Sequence, residues 1–113
     1  MIQDVQGSFR ALADPTRRMI LMHLSTAEMT IGEVAENFDM TRAAVKKHLT
    51  ILEDGKLISV RTSGRERINK LEPMGLKTVA DWFNYFSHFW DQHLSKLQTA
   101  IDNEEKNERC NDN

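Results

Sequence analysis

Apolar residues recur along this chain at intervals of three and four, with one short stretch in the middle where the pattern changes. The first spacing puts side chains on one face of a helix, and strict alternation puts them on one face of a strand. Val5, Phe9 and Leu12 mark a first short helix, with Asp4 at its N-cap. Asp14-Pro15 opens a second: the carboxylate can accept from a free backbone amide, and proline at the first helical position needs no donor. Met19, Ile20, Leu21 and Leu24 are its core set, and Arg17 and Arg18 lie near its start. Thr30-Ile31-Gly32-Glu33 has capping-box spacing and predicts a helix presenting Ile31, Val34, Ala35 and Phe38 to the core, ending near Asp39. After a turn at Met40-Thr41, Thr41 caps another helix running to Asp54, with Val45, Leu49 and Leu52 as its buried seam. Gly55 suits a left-handed position just beyond it.

The pattern then shortens. Leu57 to Val60 reads as a strand, Thr62-Ser63-Gly64-Arg65 as a turn and Glu66 to Asn69 as a returning strand, which makes a small basic hairpin. A hairpin alone is marginal, so it must lean on the helices. Pro73 precedes one long helix from about 74 to 101, along which Val79, Phe83, Phe86, Trp90, Leu94, Leu97 and Ile101 share a side that Trp82 and Phe89 widen. The expected class is mainly α with a small β-hairpin: a winged helix-turn-helix with a long C-terminal dimerisation helix.

At 113 residues with 40% hydrophobic content, the chain supports one compact domain, assigned to residues 1–102, and a polar tail over 103–113 that has little to bury. So small a domain gains from an oligomeric interface. The aromatic stripe therefore nominates Val79, Trp82, Phe83, Phe86, Phe89, Trp90, Leu94 and Leu97 as a homodimer interface. The competing reading places all these rings in one monomer core.

The formal charge of -2 argues against a polyanionic partner until its distribution is considered. Between Arg42 and Arg67 seven Lys/Arg face three Asp/Glu, whereas Asp102 to Asn113 holds five acidic and two basic residues. Local charge governs contact with phosphate, so a basic middle survives the acidic average. An ordinary mixed surface would also fit the charge alone.

Chemistry is otherwise sparse. Cys110 is the sole cysteine, so neither an internal disulfide nor a thiolate metal cluster is expected. Met1-Ile2-Gln3-Asp4-Val5 has no leader character and no run is long enough to span a bilayer, which makes the cytoplasm the default location. His88 and Asp91 stand three apart on a helix, but two ligands do not make a tetrahedral site, and neither a metal nor a cofactor is expected. His23 reads as a packed helical residue. Without a nucleophile elbow or phosphate-binding glycine loop, catalysis is not expected either.

Two short helices joined by a tight turn can hold the second rigidly while its outer face enters a major groove. Thr41, Arg42, Ala44, Lys46, Lys47 and His48 are the candidate contacts there. Arg42 is the best placed to read a guanine edge, and Lys46 and Lys47 suit bases or phosphates. In the hairpin, Arg61, Thr62, Ser63, Arg65 and Arg67 could reach the backbone or minor groove. The plain alternative for the helix is a solvated basic face, and for the whole domain a protein-interaction module without specific DNA recognition.

Ala11-Leu12-Ala13-Asp14-Pro15-Thr16-Arg17-Arg18, the run from Met40 to Ile58 and Gly64-Arg65-Glu66-Arg67 together resemble the ArsR-type winged helix-turn-helix regulators over about residues 5 to 101. The long aromatic C-terminal segment is similar to the subgroup associated with START-like proteins. The resemblance implies a homodimer joined by terminal helices that binds double-stranded DNA, with an inverted-repeat operator and repression as the expected outcome. It places Thr41 to Lys47 on the recognition helix and Gly64 to Arg67 on the wing. The metal sensors of that family carry a cysteine pair in the first helix of the motif, which Ile31 to Phe38 lacks. Others use terminal-helix Asp/His ligands, a pattern that Asp91-Gln92-His93 does not complete.

Overall fold

The computed structural model describes the backbone of residues 3–111 and the side chains of residues 5–104. The side chains of Asp4 and Cys110 lie outside these; Asp4, expected as the N-cap of the first helix, already has helical backbone. The chain divides into two compact units, Met1–Ala80 and Asp81–Asn113.

The first unit contains α1 (Gln3–Leu12), α2 (Pro15–Leu24), β1 (Met29–Thr30), α3 (Ile31–Phe38), α4 (Arg42–Asp54), β2 (Ile58–Ser63), β3 (Glu66–Leu71) and the start of α5 (Pro73–Asn84). Its core is Ala11, Ile20, Leu21, Leu24, Val34, Val45, Leu49, Leu52, Leu57 and Ile58. The α4 seam of Val45, Leu49 and Leu52 is buried as its spacing requires, each residue contributing roughly 1.5–3 kcal/mol. Met19, expected inside, is exposed because Ile20, Leu21 and Leu24 already fill the inward arc of α2. Likewise α1 buries Ser8 and Ala11, with Leu12 packed at the edge of the core. The Ser8 hydroxyl donates to the Gly55 carbonyl at 2.8 Å, which satisfies it against α4.

The caps follow local chemistry. Asp14 accepts from the Arg17 amide at 3.0 Å. The Thr30 hydroxyl accepts from the Glu33 amide at 3.2 Å while the Glu33 carboxylate accepts from the Thr30 amide at 3.1 Å, completing a capping box. Thr41 accepts from the Ala44 amide at 3.1 Å. Gly55 departs from expectation: its φ is -80°, and the left-handed residue is its neighbour Lys56 at 62°. Glycine is needed for close approach instead, since a Cβ there would lie 2.7 Å from the Gly7 carbonyl oxygen.

The hydrogen bond from the Arg17 amide, followed by the charge of Arg17, holds the Asp14 carboxyl below its ordinary value of 3.8. A lowered folded-state value means the charged cap stabilises the fold above pH 3.8 and loses that contribution as pH falls through the folded value beneath it. Asp14→Asn keeps the acceptor and removes the titration. The difference in melting temperature between wild type and this variant should therefore be constant above about pH 5 and shrink in acid. A difference that stays flat to pH ~2 would contradict the assignment.

The hairpin is longer than its apolar pattern implied, and a third strand joins it. The sheet order is β1-β3-β2, all antiparallel, with Met29 opposite Asn69 and Thr30 opposite Ile68. Buried Asn69 donates to the Met29 carbonyl at 3.1 Å. Gly64, with φ 63°, supplies the left-handed turn residue between β2 and β3.

The second unit holds the end of α5 and α6 (Ser87–Asn111), so the single long helix expected from the apolar stripe is in fact two. At the break the Tyr85 amide is shared between the Asp81 and Trp82 carbonyls, and the Phe86 amide turns to Phe83 at 2.9 Å. Trp82, Phe83, Asn84, Tyr85 and Phe86 are all mediocre helix formers, and the i to i-3 bonds tighten the chain there. Helical backbone continues through 103–111, where polar composition suggests a tail. Among the described residues no helix is long and apolar enough to cross a membrane.

Candidate nucleic-acid interface

At about 100° per residue, the buried seam of α4 puts Ala43, Lys47 and Thr50 at the centre of its outer face. Arg42 and Lys46 lie on one flank and Ala44 and His48 on the other. Exposure agrees: Ala43, Lys46, Lys47 and Thr50 are exposed, whereas Ala44 and His48 are half-buried. Sequence reasoning named Lys46 and Lys47 and included Ala43 in the recognition-helix run, but missed Thr50, which the same helical count supplies once the seam is fixed. The Thr50 hydroxyl donates back to the Lys46 carbonyl at 2.9 Å. Thr41 is exposed at the N-terminus, its hydroxyl committed to the cap. Arg42 is exposed as well, but its guanidinium lies over the first turn of α3, where a Cβ on Gly32 would come within 2.9 Å of Nη2. His48 faces α2, with Nδ1 3.4 Å from Arg17 Nη1, and does not join Lys46 and Lys47 on the outer face.

The wing divides its cations between two faces. Paired residues share a face and successive residues alternate. Thr62 pairs with Arg67 and Val60 with Asn69, whereas Arg61 pairs with Ile68 and Ser63 with Glu66. Lys46, Thr50, Val60, Arg67 and Asn69 line one small cleft, which puts Arg67 and Thr62 on the side of α4. Arg61 is on the opposite face and forms an ion pair with Glu28, so it does not extend the α4 surface. Ser63 shares that face at an exposed position, and Arg65 is exposed at the turn.

The second unit presents an apolar surface. Trp82 meets Phe86 with ring centroids 5.0 Å apart, Phe83 meets Trp90 edge-on at 6.3 Å, and Phe89 stacks on His93 at 3.9 Å. Phe89, Leu94 and Leu97 nevertheless remain more than half exposed, and Trp82, Phe83, Phe86 and Trp90 more than a third. Val79 differs from this set: at 7% exposure it has little surface left for a partner. His88 contacts Gln92 at 3.0 Å and His93 contacts the Phe89 carbonyl at 3.0 Å. Among the described residues, no three His, Cys, Asp or Glu side chains converge in a metal-ligating group. His23 packs edge-on against Phe38 at 4.8 Å.

A recognition-type helix, a tight turn and an adjoining wing define a winged helix-turn-helix. Residues 12–61 match the helix-turn-helix domain family. The chain is 33% identical to the HTH-type transcriptional regulator Rv2034 of Mycobacterium tuberculosis, over 86% of this chain and 88% of that protein. With the transcriptional repressor SdpR of Bacillus subtilis it shares 34% identity over 76% of its own length and 96% of the relative. Among solved structures, an ArsR family transcriptional regulator is 35% identical, with a TM-score of 0.72 over 80% of this chain and 94% of that one. The homodimeric winged helix-turn-helix DNA-binding domain of Mb0332 from Mycobacterium bovis is 25% identical, with a TM-score of 0.61 over 82% and 83% of the two chains. The chain belongs to the ArsR family of winged helix-turn-helix transcriptional regulators.

Proposed function

We propose that this chain binds double-stranded DNA sequence-specifically as a homodimer and acts as a repressor, with an inverted-repeat operator. The observation that carries the reading is the union of two surfaces: exposed Lys46 and Lys47 on the capped helix α4, and Arg67 and Thr62 on the wing face beside it. Charge at that spacing suits a groove edge and its flanking phosphates. The exposed rings of α5 and α6 suit a second copy, and a two-fold dimer suits a two-fold operator. The reading is non-enzymatic and goes with a cytoplasmic location.

A duplex enriched from random DNA by the purified protein, compared with a scrambled duplex of equal composition, tests this. Lys47→Ala should weaken binding to the enriched duplex about tenfold and to the scrambled one far less. Arg65→Ala should weaken both together and lower the salt slope by about one. Wild-type protein that does not distinguish the two duplexes would favour a protein-interaction module instead.

A further inference from the structure

We infer that Arg17 is a positioning residue for DNA reading: its guanidinium ties the end of α1 to one flank of the recognition helix and so fixes the roll of α4. This rests on the DNA-binding function proposed above.

The last carbonyls of a helix have no partner within it. At the end of α1, Arg17 supplies them: Nε donates to the Ala11 carbonyl at 2.8 Å and Nη2 to the Arg10 carbonyl at 3.0 Å. The third nitrogen of the fork, Nη1, points to α4 and meets His48 Nδ1 at 3.4 Å. Arginine has no acceptor, so this contact requires His48 to accept at Nδ1 and carry any ring proton on Nε2. The backbone of Arg17 is itself held by the Asp14 cap. One planar group therefore joins three helices, and its direction is set at both ends.

The buried seam alone leaves α4 a degree of freedom. Val45, Leu49 and Leu52 lie within one arc, about which the helix can roll by sliding side chains. His48, on the flank of that arc, is where a lateral tie resists the motion best. A roll of a few degrees carries the tip of Lys47 sideways. Contacts with base edges are sensitive to such a shift, while long cationic side chains still find phosphate. The neighbouring Arg18 donates to the Leu12 carbonyl at 2.7 Å and, among the hydrogen bonds of the described residues, makes none to α4, so it is an internal control.

The test uses full-length protein, the enriched duplex and the scrambled duplex. Arg17→Lys keeps the charge but cannot span three acceptors. It should reduce the ratio of enriched to scrambled affinity about tenfold while scrambled binding changes less than about twofold. His48→Phe should produce a similar fall, and the double variant should fall no further than either single one. Arg18→Ala should leave the ratio unchanged, though it removes a cap. Circular dichroism establishes that each variant is folded, and the ¹⁵N signals of the His48 ring should move in Arg17→Lys. An unchanged ratio in Arg17→Lys, or single losses that multiply in the double variant, would overturn the inference. Wild-type protein that binds both duplexes equally would overturn the DNA reading itself, which the histidine signals distinguish from a failed clamp.

Discussion

Truncating Phe86 and Trp90 to alanine should turn a dimer into a folded monomer and remove most of its affinity for a full operator. Both rings lie on the second unit with more than a third of their surface exposed, next to Phe89, Leu94 and Leu97. Buried aromatic anchors contribute about 2 kcal/mol or more each, so the pair should raise the dimer dissociation constant by roughly a thousandfold. A monomer cannot occupy two major-groove segments about 34 Å apart, and loss of the second contact should cost about 10²–10⁴ in apparent affinity. Half-site binding should persist because Lys46 and Lys47 belong to the first unit. Sedimentation, circular dichroism and titration of full and half sites measure the three effects separately. Loss of secondary structure together with assembly would mean that the rings serve a monomer core. A wild-type monomer at micromolar concentration that binds both sites equally would refute the coupled-dimer account.

Gly75→Ala should be among the most destabilising single substitutions in the chain, although alanine is the better helix former by about 1 kcal/mol. A Cβ at this position would lie 1.9 Å from the Lys56 carbonyl oxygen and 2.7 Å from its carbon. These are backbone atoms immediately ahead of buried Leu57 and Ile58, and they cannot swing away as a side chain would. The start of α5 is also tied there by the Glu72 amide, which donates to the Leu57 carbonyl at 2.8 Å. Separating the two segments should cost about 3 kcal/mol or more and lower the melting temperature by roughly 10–20 °C. Gly64→Ala is the useful comparison. It meets no atom within 4 Å and strains only a left-handed backbone, at about 1–2 kcal/mol. Equal melting temperatures for wild type and Gly75→Ala would show that α5 does not seat against Lys56.

These cases mark what could be read from the chain. Caps were legible because the partners are three residues apart: Thr30 with Glu33, Asp14 with Arg17 and Thr41 with Ala44 are local arrangements. The seam of α4 was legible for the same reason. The two-residue strand β1 was not, since Met29-Thr30 becomes a strand only by meeting Asn69 and Ile68 from a distant part of the chain. Gly55 was picked out for the wrong reason, as its need for a bare Cα comes from Gly7 on another helix. The break at Tyr85 and Phe86 was hidden because apolar spacing reports which side is oily and nothing about whether each amide finds its i-4 carbonyl. At the interface, composition singled out the cations of the wing, but only strand pairing separates Arg67 from Arg61 and reveals the claim Glu28 makes on the latter.

The open space around Gly64 bears on how such a regulator can change its target. Six paired positions fix the register of β2 and β3, and β1 fastens the far edge of β3. At the tip, a Cβ added to Gly64 would meet no atom within 4 Å. Residues inserted or exchanged there spare the hydrophobic interior, so lineages can lengthen, shorten or recharge the tip at little cost to folding. On the DNA-binding function proposed above, contact of the tip with flanking DNA can thereby drift independently of α4.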